Sequence, residues 1–323
     1  MSQTNHSSKK DAASNSSAAK AQIHQNKQAT AKATARIAEV LAPENIVVDH
    51  LPPKPNYPRY RVLPGEPINL AALDPNASES FKSEAEAEKE LKRQRKRLRH
   101  LQTRLYAEHQ RSLLIVLQAT DTGGKDSTIK HVFQGVNPQG CQVWSFKQPS
   151  VEELNHDFLW RYHQQAPSRG MMTIFNRSHY EEVLVGRVQQ LVPENVWRER
   201  YQIINEFEHM LALNQIVVLK FFLHISKDEQ KKRLEARLKD PDKRWKFSIS
   251  DIEDRHLWDD YQIAYQDAIN NCSTEYAPWY VVPANKKWYR NWVIARVLAD
   301  TLEAMNPLYP EAEPGLDKIS IPD

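Results

Sequence analysis

Cysteine and glycine are scarce in these 323 residues, with two of the first and eight of the second. Two thiols, Cys141 and Cys272, cannot build a disulfide framework, so reduced thiols in a cytoplasmic protein are expected. No apolar run approaches the ~20 residues of a membrane span, and the N-terminus holds no apolar signal core, so a soluble chain with no membrane partner is expected. Clustered Cys/His spacing, a G-x-S-x-G elbow and internal repeats are all missing, which removes zinc modules, one hydrolase class and solenoids. A surplus of one charge is missing too. Lys and Arg number 44 against 41 Asp and Glu, a net +3. The first forty residues hold six Lys or Arg against two acids, +4, which leaves about −1 for the remainder. A surface built to coat nucleic acid is therefore not expected, and any positive field must be local.

Two of the few glycines stand together, and their setting is informative. Leu113-Leu-Ile-Val-Leu-Gln118 is a short apolar, β-branched run that reads as a buried parallel strand. It empties into Ala119-Thr-Asp-Thr-Gly-Gly-Lys-Asp126, and a helical pattern starts at Ser127. Backbone N–H groups in a first helical turn have no partner within the helix, so a strand, a glycine turn and a helix start together form an anion grip, to which a lysine adds full charge. Gly123, Gly124, Lys125, Asp126 and Ser127 are the candidate phosphate ligands. The Walker A pattern would need Gly at 119 and Ser or Thr at 126, where this chain has Ala119 and Asp126. Asp121 is the unusual member. A carboxylate among phosphate-facing amides would repel the ligand unless a divalent cation bridged them, which points to Mg²⁺; the plainer alternative is an Asx-turn residue.

The rest of the chain supplies a frame for that turn. Residues 1–34 are a Ser/Ala/Asn/Gln/Lys mixture unable to bury enough apolar surface to order, and read as a disordered tail. Residues 35–82 read as an extended, proline-stiffened arm, 83–310 as the catalytic domain and 311–323 as a C-terminal tail. Ser83 and Glu86 offer a capping box for a helix to about His109, with Ala87, Leu91, Leu98, Leu101 and Leu105 as one apolar stripe and the basic run as a solvated face. Strand-like runs follow at 113–118, 142–147, 171–175, 216–225 and 279–283. Helical patterns lie between them at 127–134, 151–165, 178–190, 193–213, 227–238, 257–271 and 286–305. Such alternation predicts an α/β fold with a five-stranded parallel sheet covered on both faces, and a ligand off the carboxyl ends of its strands.

Two further segments join the phosphate argument. Asn176 and Arg177 close the third strand, where a neighbouring-strand acid would help to hold Mg²⁺; here an uncharged oxygen ligand is followed by a guanidinium that can fork onto phosphate. Arg233, Arg237, Lys239, Lys243, Arg244 and Lys246 crowd into fourteen residues broken by Pro241. A mobile lid at about 238–257, or a solvated loop, fits that composition. His179 reads as a packing residue, and Trp258, Trp279, Trp288 and Trp292 as core or subunit contacts. Asp259 and Asp260 read as partners of lid cations or as a helix start.

Ala119–Asp126, Phe175-Asn-Arg-Ser-His-Tyr-Glu181, Arg244-Trp-Lys-Phe-Ser248, Trp258-Asp-Asp-Tyr261 and Ala277-Pro-Trp-Tyr-Val-Val-Pro-Ala284, in this order, resemble the polyphosphate kinase 2 family. The resemblance runs from about Tyr60 to Leu308. It implies a three-layer α/β/α P-loop kinase fold with a helical lid. It also implies transfer of a terminal phosphoryl group from inorganic polyphosphate to AMP or ADP, forming ADP or ATP with Mg²⁺, in a homodimer or homotetramer. Asp121 would coordinate metal and orient the acceptor phosphate, and Lys125 would bind the transferring phosphoryl. Asn176 and Arg177 would be the Walker B pair, with Lys243, Arg244 and Lys246 gripping polyphosphate. Many relatives have Asp where this chain has Asn176, and Asn resembles the subgroup that acts on both AMP and ADP. An ATP-dependent nucleoside monophosphate kinase and a non-catalytic polyanion binder are the rival readings.

Overall fold

The computed structural model describes residues 59–79, 81–316 and 319–321. All fall in the compact unit Leu51–Asp323; the other unit, Met1–His50, lies outside the described residues, as do the tail read over 1–34 and the first part of the arm.

Five strands, β1 (Ser112–Gln118), β2 (Cys141–Ser145), β3 (Met172–Asn176), β4 (Ile216–His224) and β5 (Trp279–Pro283), form one sheet in the order β2-β3-β1-β4-β5. Every neighbouring pair is parallel. All seven residues of β1 are buried, because side chains alternate between two cores. Leu113, Ile115 and Leu117 enter one, and Leu114 and Val116 the other. The first core is roofed by α1 (Glu84–Glu108), α2 (Lys125–Val132) and α10 (Lys287–Met305); the second by α5 (Glu181–Val188), α6 (Glu194–Leu213) and α9 (Trp258–Cys272). This is the expected α/β architecture with helices on both faces.

The stripe on α1 is buried as its spacing predicts, with Leu91, Leu98 and Leu105 at 0 % exposure. Each contributes on the order of 2 kcal/mol by leaving water. Ser83 caps the helix by accepting from the Glu86 amide at 3.2 Å. The reciprocal half of the expected box is displaced by one residue, since Glu86 accepts from the Lys82 amide instead. Most of the basic run on α1 is solvated, but Arg95 donates to the His131 carbonyl and Arg97 pairs with Asp300 at 2.8 Å.

The single helix predicted over 151–165 is two short ones, α3 (Val151–Leu154) and α4 (Trp160–His163). Asp157 accepts from the Leu159 amide at 2.9 Å, an Asx turn that competes with helix and breaks it. Helix α2 begins at Lys125, two residues before its apolar pattern, because left-handed Gly124 (φ 104°) serves as its N-cap. After α7 (Lys227–Lys239), the segment at 238–257 contains a short helix, α8 (Ser250–His256). The arm runs against β5: Val62 donates to Trp279 O at 2.8 Å, and Tyr60 O accepts from Val281 at 2.9 Å. That pairing covers a sheet edge.

From β1 the chain passes to β2 and β3 on one side, then crosses to β4 and β5 on the other. The carboxyl end of β1 is therefore the topological switch point, where open α/β sheets leave a crevice.

Candidate active site

The turn leaving β1 is shaped by close contacts that only glycine permits. Gly123 donates to Thr120 O at 2.9 Å. A Cβ on Gly123 would lie 2.4 Å from Ala119 Cβ, and one on Gly124 would lie 2.1 Å from Arg290 Nη1. Thr122 adopts φ 59°, a left-handed conformation that costs a β-branched residue on the order of 1–3 kcal/mol. The Lys125 side chain folds back over the turn, donating from Nζ to Ala119 O at 2.8 Å. Burial, then the charge of Arg177, lowers Lys125 to about 8, against the pull of Asp121, Glu181 and Asp126.

Register places the second element beside this turn, since Leu117 of β1 faces Asn176 of β3. Asn176 donates through Nδ2 to Asp126 at 2.9 Å and to Ser145 Oγ at 3.3 Å. Arg177 has φ 66° and turns its guanidinium onto Asp121, Nη2 to Oδ1 at 3.1 Å. Desolvation opposes the charge on Arg177, but Glu181 and Asp121 outweigh it and raise its pKa. Lys246, from the 238–257 segment, reaches Asp126 at 3.0 Å. Burial alone would raise the Asp126 pKa; hydrogen bonds from Lys246 and Asn176 reverse that and lower it.

A cleft, partly open to solvent, lies in front of the turn. Thr120, Asp121, Arg177 and Glu181 line one part, while Trp258, Tyr261 and Tyr265, at helical spacing on α9, line another. Asp254 also faces it, held by Tyr261 Oη at 3.0 Å and Gln189 Nε2 at 3.1 Å. Desolvation first, then Asp121 among other groups, raises the pKa of both Asp251 and Asp254.

The structure thus gathers Asp121, Gly123, Gly124, Lys125, Asp126, Ser127, Asn176, Arg177 and Lys246 around one turn. It does not bring Lys243 and Arg244 there. Lys243 pairs with Asp240, and Arg244 donates to Leu238 O at 2.7 Å, both within their own segment. Two of the crowded cations are anchored elsewhere: Arg237 on Asp251 at 3.2 Å, and Arg233 beneath the glycine turn, 3.1 Å from the carbonyls of Thr122 and Gly123. His179 is buried against Glu208 at 3.0 Å, a packing role. Trp258, Trp279 and Trp292 are buried and Trp288 packs against the first core, though Trp258 lines the cleft as well. Asp259 lies in the first turn of α9, 3.8 Å from Lys227 and not from a cation of the 238–257 segment.

Sequence reasoning missed Arg290, Gln230, Asp254 and the tyrosines of α9. Gln230 donates to Asp121 O at 3.3 Å. For Arg290 one signal existed: Lys286, Lys287 and Arg290 open a helix whose dipole disfavours cations there.

Residues 81–310 match the family model described as polyphosphate kinase 2. The chain is 54% identical over 264 residues to the AMP/ADP-polyphosphate phosphotransferase of Meiothermus ruber, covering 81% of this chain and 99% of that protein. It is 43% identical over 272 residues to the ADP-polyphosphate phosphotransferase of Rhodopseudomonas palustris, covering 80% and 94%. Among solved structures, the crystal structure of polyphosphate kinase 2 from Arthrobacter aurescens matches with a TM-score of 0.76 at 44% identity, covering 79% of this chain and 91% of that one.

Proposed function

The chain belongs to the polyphosphate kinase 2 family, and on that premise we propose that it moves the terminal phosphoryl group of inorganic polyphosphate to AMP or ADP, reversibly and with Mg²⁺. The observation that carries this reading is the Gly123-Gly124-Lys125 turn at the start of α2, with Asp121 and Arg177 on the cleft side and Lys246 reaching in from a cationic segment.

Phosphoryl transfer demands positioning and charge neutralisation more than covalent help. Lys125 and the first-turn amides of α2 hold the transferring group. Arg177 forks onto phosphate oxygens of the acceptor, exchanging its Asp121 partner for them. The tyrosine and tryptophan wall of the cleft gives a planar base a surface to pack on. Polyphosphate has no base to recognise, and a lid carrying Lys243, Arg244 and Lys246 grips it by charge alone.

Mg²⁺, when bound, supplies positive charge between phosphate oxygens and carboxylates. Asp121 would hold it, with Asp126 and Asn176 close by. Among the described residues no three His, Cys, Asp or Glu form a self-sufficient metal cluster. Mg²⁺ does not require one, because phosphate and water complete its shell around one or two carboxylates. Burial first, and then Asp121 among other groups, raises the pKa of Asp254 in the cleft wall, which fits a site whose acids gain from a divalent cation. Copies of the chain pair into a homo-oligomer in this reading, supported by exposed Val143 and Trp144 on edge strand β2 and by Ile203, Met210 and Leu213 on α6. Free Cys141 and Cys272 fit a cytoplasmic setting, and no described helix is long and apolar enough to cross a membrane.

The deciding experiment supplies purified protein with Mg²⁺, long-chain polyphosphate and AMP or ADP, and follows ATP. Formation of ATP without a nucleotide donor is expected. Transfer only from ATP would replace this reading with an ordinary nucleoside monophosphate kinase, and retention of polyphosphate without turnover would replace it with a polyanion binder.

A further inference from the structure

Against the glycine turn, from residues that do not line the cleft, two guanidinium groups meet. Arg290, in the first turn of α10, is 0 % exposed. Its Nη1 lies 3.4 Å from Gly123 O and its Nη2 3.4 Å from Ser127 Oγ, while Nε and Nη2 donate to Asn291 Oδ1 at 3.2 and 2.8 Å. All of these acceptors are neutral. Burial first, and then the like charge of Arg233, lowers Arg290 to about 9. Arg233 itself spans Thr122 O, Gly123 O, Ala284 O and Asn285 O, with Glu229 as its carboxylate partner at 2.7 Å.

Two physical consequences follow. A peptide plane whose carbonyl is held on one side presents its N–H on the other. Arginine bonds to the Gly123 carbonyl therefore aim the Gly124 amide forward, toward the anion side. Second, a buried cation without an anion is costly, and Arg290 stands at the positive end of a 19-residue helix beside Lys286 and Lys287, which makes the local surplus worse. Lys287 registers that surplus: burial and then Arg233 and Arg290 lower its pKa. The charge becomes favourable once an anion occupies the turn a few ångströms away.

We propose that Arg290, backed by Arg233, is a positioning residue for phosphate binding: a buried cation that orients the glycine turn and whose counter-charge is the phosphate gripped by that turn. The inference rests on the polyphosphate reading and adds residues to it. It also explains Gly124, since any larger residue there would displace Arg290.

The test uses Arg290→Met, which keeps side-chain length and removes the charge, and Arg290→Lys, which retains it. Thermal unfolding is measured with and without magnesium tripolyphosphate, alongside KM and kcat for polyphosphate with ADP. Arg290→Met is expected to unfold at the wild-type temperature or above it when ligand-free, to lose most of the tripolyphosphate-induced rise, and to increase KM at least ~10-fold, as for a lost charge in a low-dielectric setting. Arg290→Lys is expected to recover a substantial part of that rise. A ligand-free Met variant that melts several degrees lower or does not fold would overturn the proposal, because the cation would then be a structural brace. So would a Met variant with wild-type KM. A wild type that tripolyphosphate fails to stabilise would contradict the polyphosphate reading instead, while the ligand-free melting temperatures would still decide the buried-charge claim.

Discussion

The glycine turn and the 238–257 segment each present a lysine to the same place, yet they are built oppositely. Around Lys125 the turn is clamped: Gly123 against Ala119, Gly124 against Arg290, and the carbonyls of Thr122 and Gly123 on Arg233. Of residues 238–257 only Asp251 is buried, while Trp245 and Ile249 are 76 % and 78 % exposed. Segments with so few buried contacts open at low cost, and those with many do not. In the proposed function that difference would divide the labour. Reacting atoms must be held to fractions of an ångström and belong on the clamped element, whereas a polymer must enter and leave, and belongs under the loose one.

The comparison is broken most directly at Lys125. Replacing it with alanine is expected to lower kcat by at least ~10²-fold, the size of losing one transition-state charge partner. A rate within about threefold of wild type, measured as ATP formed from polyphosphate and ADP, would remove Lys125 from the chemistry.

Titration of the same lysine gives the next largest effect. Its pKa stands at about 8 in the ligand-free protein, below the ordinary 10.5. In the proposed function the charged form grips phosphate, so kcat/KM for polyphosphate is expected to fall about tenfold per unit as pH rises well above that value. kcat should fall less, since bound phosphate restores the proton. Stability moves the other way. Between pH 8 and 10.5 the unfolded chain holds a proton that the folded one has released, so this group raises stability with pH. A decline in activity accompanied by unfolding across that window would contradict the assignment.

What was legible in the sequence was local. The strand, the glycine pair, Lys125, and Asn176 with Arg177 are each short runs whose chemistry and immediate neighbours suffice. The stripe on α1 was legible for the same reason, because burial follows helical spacing. Arg290 was not, because its partner Gly123 lies 167 positions away and the turn carries no mark of what packs behind it. The cations clustered from Arg233 to Lys246 show a related limit. Composition counted six in one cluster, but Arg233 and Arg237 are sequestered by Glu229 and Asp251 and by backbone carbonyls, which charge counting cannot foresee. The break between α3 and α4 turned on one Asp157 side chain competing with helix for a backbone amide.

On the loose side of the comparison, Lys246→Ala is expected to raise KM for polyphosphate roughly three- to tenfold, with kcat within about twofold, since an exposed charge contributes about 1 kcal/mol or less to a contact. Rising ionic strength should raise the wild-type KM in the same way, because partly exposed phosphate contacts are screened. A kcat defect as large as that of Lys125→Ala would place Lys246 with the chemistry and erase the distinction between the two elements.

The finest test compares Lys246 with Lys243. Both belong to the same segment and both are exposed, but Lys246 already contacts Asp126 while Lys243 is tied to Asp240 three residues away. Lys246 thus already stands at the glycine turn, whereas Lys243 must both leave Asp240 and be carried there, so the net gain from Lys243 is smaller. Lys243→Ala is therefore expected to change KM for polyphosphate by less than about threefold, a fraction of the Lys246→Ala effect. Asp240→Ala should lower KM slightly by freeing the lysine. If Lys243→Ala instead exceeded Lys246→Ala, the segment would have to swing on binding so that Lys243 replaces Lys246 at the turn. Arg237, anchored on Asp251, would then be the point about which it moves.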